Sequence, residues 1–124
     1  MKTVDFDTLC LRSGDRVLDL GCGEGRHVIS FYVEADVHAI GVDLGFNDLQ
    51  KTAEKFTPFH EPGNNNKQLH LACTNALHLP FANASFDKVV CSEVLEHIPD
   101  YQGALLEIAR ILKPGGVAAI SVPR

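Results

Sequence analysis

Short apolar runs recur along the chain, each closed by glycine, proline or a small polar residue, with stretches of helix-like spacing between them. That alternation predicts a parallel sheet covered by helices, since parallel strands need a crossover to reach their neighbours. The first strand runs from Arg16 to Leu20, set up by the Ser13-Gly14-Asp15 turn and ended by Gly21, Gly23 and Gly25. A helix from about Gly25 to Glu34, a strand from His38 to Val42 closed by Asp43, and a helix from about Asn47 to Phe56 stopped by Pro58 complete a β-α-β unit. The segment TPFHEPGNNNK holds two prolines and three consecutive asparagines and is expected to be the most mobile loop. Strands follow from Gln68 to Ala72 and from Phe86 to Cys91, the second expected at the buried centre of the sheet. Asp100 is placed to cap a helix ending near Leu112 at the Lys113-Pro114-Gly115-Gly116 turn, before a last strand from Val117 to Val122.

A length of 124 residues, 45% hydrophobic and 22% charged, suits one domain spanning residues 1–124. The formal net charge is −5 and no run of Lys or Arg could release counterions, so nucleic acid is not expected as a partner. Cys10, Cys22, Cys73 and Cys91 form no CxxC pair, which argues for reduced thiols. His70, Cys73 and His78 lack zinc spacing, and strand alternation sets His70 and Cys73 on opposite faces, so no metal site is expected. The acidic N-terminus does not suit a signal peptide and nothing approaches a membrane span, so a cytoplasmic protein is expected.

The strongest chemical signal is VLDLGCGEG, Val17 to Gly25, an apolar strand with an acid near its end that opens into alternating glycines. Glycines let the backbone turn tightly and approach a ligand, and the next helix would present its N-terminal amides. A dinucleotide-binding GxGxxG reading needs glycine where Arg26 stands. Asp19, moreover, suits a cationic amino-acid head group and would repel a pyrophosphate. Asp43, at the end of the second strand, is placed to accept hydrogen bonds from ribose hydroxyls.

Together, VLDLGCGEG, GVDL, NALHLPF, FDKVVCSEVLEHI and RILKPGG resemble the class I S-adenosylmethionine (SAM)-dependent methyltransferases, in particular the methyltransferase type 11 group with the ubiquinone and menaquinone C-methyltransferases. The resemblance covers Gly14 to Pro123 and implies a Rossmann-like three-layer α/β/α sandwich with a mainly parallel sheet. It implies SAM as cofactor, S-adenosylhomocysteine as product and a small-molecule acceptor. It places Asp19, Gly21, Cys22 and Gly23 along the methionine part of SAM, Asp43 at the ribose, Leu44 against adenine and Ser92 beside the cofactor. Where the family usually has Asp-Ala at the adenine amino group this chain has Asn75-Ala76, which implies retained but weaker recognition. Glu93, Glu96 and His97 form an acid/base-like set, yet the segment is shared by enzymes with very different acceptors, so no catalytic residue is assigned.

The family fold normally adds two strands after the fifth and an N-terminal helical cover. Neither is visible here, so the chain is expected to be a C-terminally truncated core whose fifth strand is an exposed edge able to pair with a second copy. Two rival functions remain: a SAM-binding module without activity of its own, and a nicotinamide-dependent oxidoreductase, which Arg26 and Asp19 disfavour.

Overall fold

The computed structural model describes residues 9–92 and 94–121. Five strands, β1 (Arg16–Leu20), β2 (His38–Asp43), β3 (Gln68–Cys73), β4 (Phe86–Ser92) and β5 (Leu112–Ser121), form one all-parallel sheet in the order β3-β2-β1-β4-β5. The chain winds outward from β1 to β3 and then crosses to the far side of β1 for β4. The strand order therefore reverses between β1 and β4, and such a switch point opens a crevice at the carboxyl ends of the strands.

Alternation along the strands builds two cores. Leu18, Leu20, Val89 and Cys91 face one side, where Ala104, Ile108 and Ile111 of α3 (Tyr101–Ile111) close over them. Val17, Ala39 and Val90 face the other, against Val28, Ile29 and Phe31 of α1 (Arg26–Glu34) and Leu49 of α2 (Phe46–Phe56). Three layers result, as the sequence predicts, because β1 and β4 are apolar on both faces. At the opposite end of β4 from the crevice, the amine of Lys88 is buried and pairs with Asp15 at 3.3 Å.

Element boundaries fall near those expected, with three differences. Pro58 does not simply end α2: the chain continues as a 3-10 turn, Thr57–Phe59, in which proline's missing N–H costs nothing at the first positions. The following loop is pinned, since the Tyr32 hydroxyl accepts from the Glu61 amide at 2.9 Å and Lys67 pairs with Glu61 at 3.1 Å. The strand β5 begins at Leu112, directly after α3, and bulges between its pairings with Phe86 and Lys88 before regular pairing resumes at Val117. Gly115, at φ +83°, carries that excursion. Asp100 caps α3 as expected, accepting from the Gly103 amide at 3.0 Å. The expected end of β5 at Val122 lies outside the described residues, within which no helix is long and apolar enough to cross a membrane.

Candidate functional site: a two-part cleft at the carboxyl ends of the sheet

The site grows from the turn between β1 and α1. Gly21, Gly23 and Gly25 all take left-handed φ values, +74°, +54° and +91°. A Cβ on Gly21 would stand 2.5 Å from Val94 Cγ2, and one on Gly25 2.5 Å from Thr52 Cγ2, so both glycines are demanded by packing as well as by conformation. At Gly23 a Cβ would meet nothing within 4 Å: the backbone there borders open space.

This turn is held from several sides. The amides of Gly21 and Cys22 both donate to the Val42 carbonyl, at 2.8 and 2.9 Å. The Gly23 peptide is gripped at both ends: its N–H donates to Asp43 Oδ2 at 2.8 Å, and Thr52 Oγ1 donates to its carbonyl at 2.9 Å. The other Asp43 oxygen accepts from the Gly45 amide at 2.8 Å. From α2, Lys55 reaches Glu24 at 2.7 Å and Lys51 lies 3.8 Å from it. Asp43 therefore splices the ends of β1 and β2, beyond the ribose role expected of it. Thr52 and the lysine clasp were not foreseen, since nothing local to α2 points to a turn 29 residues away.

Two cavities meet at Gly21. The larger, about 730 Å³, contains Asp19, Cys22 and Ser92 of the expected set and adds Arg26, Lys55 and Phe59. The smaller, about 370 Å³, contains Asp43, Leu44, Asn75 and Ala76 and adds Val94 and His97. Both volumes fall in the range of small-molecule sites, about 300–1,000 Å³. Eight of the nine expected residues thus line one or other cavity, while Gly23 lines neither and is tied to the site through its amide bond to Asp43.

Asp19 is buried, and its carboxyl is raised to about 7, first by burial and then by the charge of Asp43, against the opposing effects of the Val28 amide and Arg26. Burial and neighbouring acids push the Cys22 and Cys91 thiols up to about 12, which leaves both as inert packing groups. Leu44 is 71% exposed although apolar, at the wall of the smaller cavity. Asn75 Oδ1 accepts from the Leu77 amide at 2.9 Å, an Asx turn that occupies the oxygen expected to meet adenine. The Ser92 hydroxyl lies 3.2 Å from that of Ser121 on β5. His97 is exposed, 3.3 Å from Glu96, and lines the smaller cavity, while Asp19 and Ser92 line the larger. Glu93 lies outside the described residues.

The loop between β3 and β4 that carries Asn75 is fixed from beneath. Arg110 donates to the carbonyls of Phe81 and Leu79 at 2.7 and 3.0 Å, while its partner Glu107 accepts from the Leu79 amide at 2.8 Å. Folding thus places the wall of the smaller cavity before any ligand arrives.

An open-backed glycine turn, an exposed leucine at the wall of the smaller cavity and a buried acid in the larger one stand together at the carboxyl ends of the strands. The methyltransferase domain family model matches residues 18–120, and the chain belongs to that family of SAM-dependent enzymes. It is 35% identical over 108 residues to the O-methyltransferase rstn1 of Aspergillus nomiae, covering 87% of this chain and 46% of that protein. It is 34% identical over 112 residues to the 27-O-demethylrifamycin SV methyltransferase of Amycolatopsis mediterranei, covering 90% and 40%. Among solved structures, the YcgJ protein from Bacillus subtilis superposes with a TM-score of 0.78 at 29% identity, over 92% of this chain and 46% of that one. The cyclase SpnF shares the fold with a TM-score of 0.82 at 24% identity, over 92% and 40%. The chain spans less than half the length of the curated relatives it matches here.

Proposed function

We propose that residues 1–124 form one SAM-binding core and that the protein they represent transfers the cofactor's methyl group to a small-molecule acceptor. The observation that carries this reading is the pair of cavities joined at Gly21, with Asp19 in one and Asp43 in the other. The cleft fits the cofactor's parts in order. Leu44 and Ala76 offer apolar surface to adenine, and Asp43, already holding two amides, keeps lone pairs for ribose hydroxyls. Gly21 and Gly23 let the thioether part pass close to the backbone, and Asp19 faces the ammonium. When bound, SAM supplies an electrophilic methyl group on its sulfonium. The chain's own contribution is alignment and desolvation, because groups held in place before reaction lower the barrier through orientation.

The acceptor class rests on relatives that are named O-methyltransferases. Pairing of two copies along β5, where Val117 and Ile120 are exposed, belongs to the same proposal, as does a cytosolic setting that suits the buried thiols of Cys22 and Cys91. Amide chemical-shift mapping with S-adenosylhomocysteine tests the binding mode. Shifts are expected at Gly21 to Gly25, at Asp43 to Gly45 and at Asn75 to Leu77. A saturating titration that leaves the glycine turn unmoved overturns it.

A further inference from the structure

Asn75 stands two residues beyond the end of β3 and lines the smaller cavity beside Leu44 and Ala76. The loop that carries it is held in place. The Asn75 carbonyl accepts from the His78 amide at 3.0 Å, the Thr74 amide donates to the Asp43 carbonyl at 3.0 Å, and Arg110 grips the carbonyls of Leu79 and Phe81 farther along. In that loop the two arms of the Asn75 side chain are not equivalent. Oδ1 accepts from the Leu77 amide at 2.9 Å, and only an oxygen can answer an N–H, so the turn itself decides which way the side-chain amide points. The other arm, Nδ2, makes no hydrogen bond among the described residues and can only donate.

An aspartate in the same turn would offer a second acceptor at this place, whereas asparagine offers a donor. The exocyclic amine of adenine is itself a donor, so the two N–H groups do not match. Asp43, the one carboxylate among the described residues lining this cavity, already holds the Gly23 and Gly45 amides and stands at the ribose in the reading above. We propose that Asn75 donates to the ligand's base through Nδ2, so that the cleft does not select adenine by its amino group and holds a 6-oxopurine nucleoside thioether at least as tightly. The inference rests on the SAM-binding reading and adds to it a specificity-determining residue of polarity opposite to the usual Asp. Hypoxanthine differs from adenine at the edge concerned: a carbonyl oxygen replaces the amine, which supplies the acceptor that Nδ2 needs.

Titration calorimetry with S-adenosylhomocysteine and its deaminated analogue S-inosylhomocysteine, on the parent chain and on Asn75→Asp, tests this. Asp keeps an oxygen for the Leu77 amide and exchanges the donor for an acceptor, so the variant should melt with the parent. The parent should bind the inosyl ligand at least as tightly as the adenosyl ligand. Asn75→Asp should favour the adenosyl ligand by about tenfold, the scale of one hydrogen bond to a charged group at a partly open site. In the parent, the Asn75 side-chain NH2 resonances should shift as the inosyl ligand saturates. A parent that favours S-adenosylhomocysteine, an Asp variant that keeps the parent's ratio, or unmoved Asn75 resonances would each mean that Nδ2 does not read the base, and would overturn the proposal. A parent chain that binds neither ligand overturns the SAM reading itself, and this inference with it.

Discussion

The two halves of the cleft are lined by opposite chemistry. The smaller half is walled mainly by carbon, with Leu44, Ala76, Leu77 and Val94 around a single carboxylate that already holds two amides. The larger half is ringed by formal charge, with Asp19, Glu24, Arg26 and Lys55 around the open backbone of the glycine turn. Binding in the smaller half should come from buried apolar area and respond little to pH or salt. Binding in the larger half should respond to both, because its charges are partly solvated and one of them titrates near neutrality. Methylthioadenosine, which lacks the amino-acid end, separates the two halves experimentally.

The severest break is Gly21→Ala, because Gly21 belongs to both halves and a Cβ there meets Val94 at 2.5 Å on a left-handed backbone. It should cost about 1–3 kcal/mol of stability and weaken S-adenosylhomocysteine and methylthioadenosine together, as melts and calorimetry would show. Loss of only one ligand would mean that the halves do not share this wall.

Asp43→Ala should come next. Loss of the ribose acceptor should weaken both ligands by about 1.5–3 kcal/mol, the range for hydrogen bonds to a charged group. The Gly23 and Gly45 amides also depend on this carboxylate, so the melting temperature should fall too. An unchanged melting temperature would show that water replaces Asp43 at both amides.

Asp19→Asn should split the halves, weakening S-adenosylhomocysteine roughly tenfold or more while leaving methylthioadenosine nearly unchanged. With its carboxyl raised to about 7 from 3.8, Asp19 holds more protons in the folded chain than in the unfolded one across that window. Its contribution to stability is therefore complete below about pH 4 and is lost as pH rises through about 7. The Asn variant should escape that loss and melt higher than the parent at pH 8. Conversely, ammonium binding favours ionised Asp19, so the parent's affinity for S-adenosylhomocysteine should rise between pH 6 and pH 8. A flat profile would remove Asp19 from the ammonium site.

Leu44→Ala should be mildest. Leu44 is mostly exposed, so stability should stay within about 0.5 kcal/mol, while both ligands lose on the order of 1 kcal/mol of apolar contact. A measurable drop in melting temperature would mean that Leu44 packs the fold in solution.

What could be read from the sequence follows the range of each interaction. The strands of β1 and β4, the glycine turn and Asp100 as a cap were legible because their signals are local. The placement of Asp19, Asp43 and Ser92 on one cleft also followed, since parallel strands bring their carboxyl ends together. Thr52 reaching Gly23, Lys55 reaching Glu24 and Arg110 fixing Leu79 and Phe81 were not legible, because each joins segments about thirty residues apart through ordinary surface-type side chains. Asn75 shows a middle case: its position was legible, but the Leu77 amide competes for its oxygen, which only the folded turn reveals. The bulge opening β5 was missed because Lys113-Pro114-Gly115-Gly116 reads equally well as a helix stop or as an excursion within a strand.

The central claim is that this cleft holds an adenosine ligand with an amino-acid end and rejects a dinucleotide. Parallel calorimetric titrations of the 124-residue chain with S-adenosylhomocysteine and with NADH test it most directly. The account predicts saturable heat with the first, competed by SAM, and none with the second. Saturable binding of NADH with no binding of S-adenosylhomocysteine would contradict it.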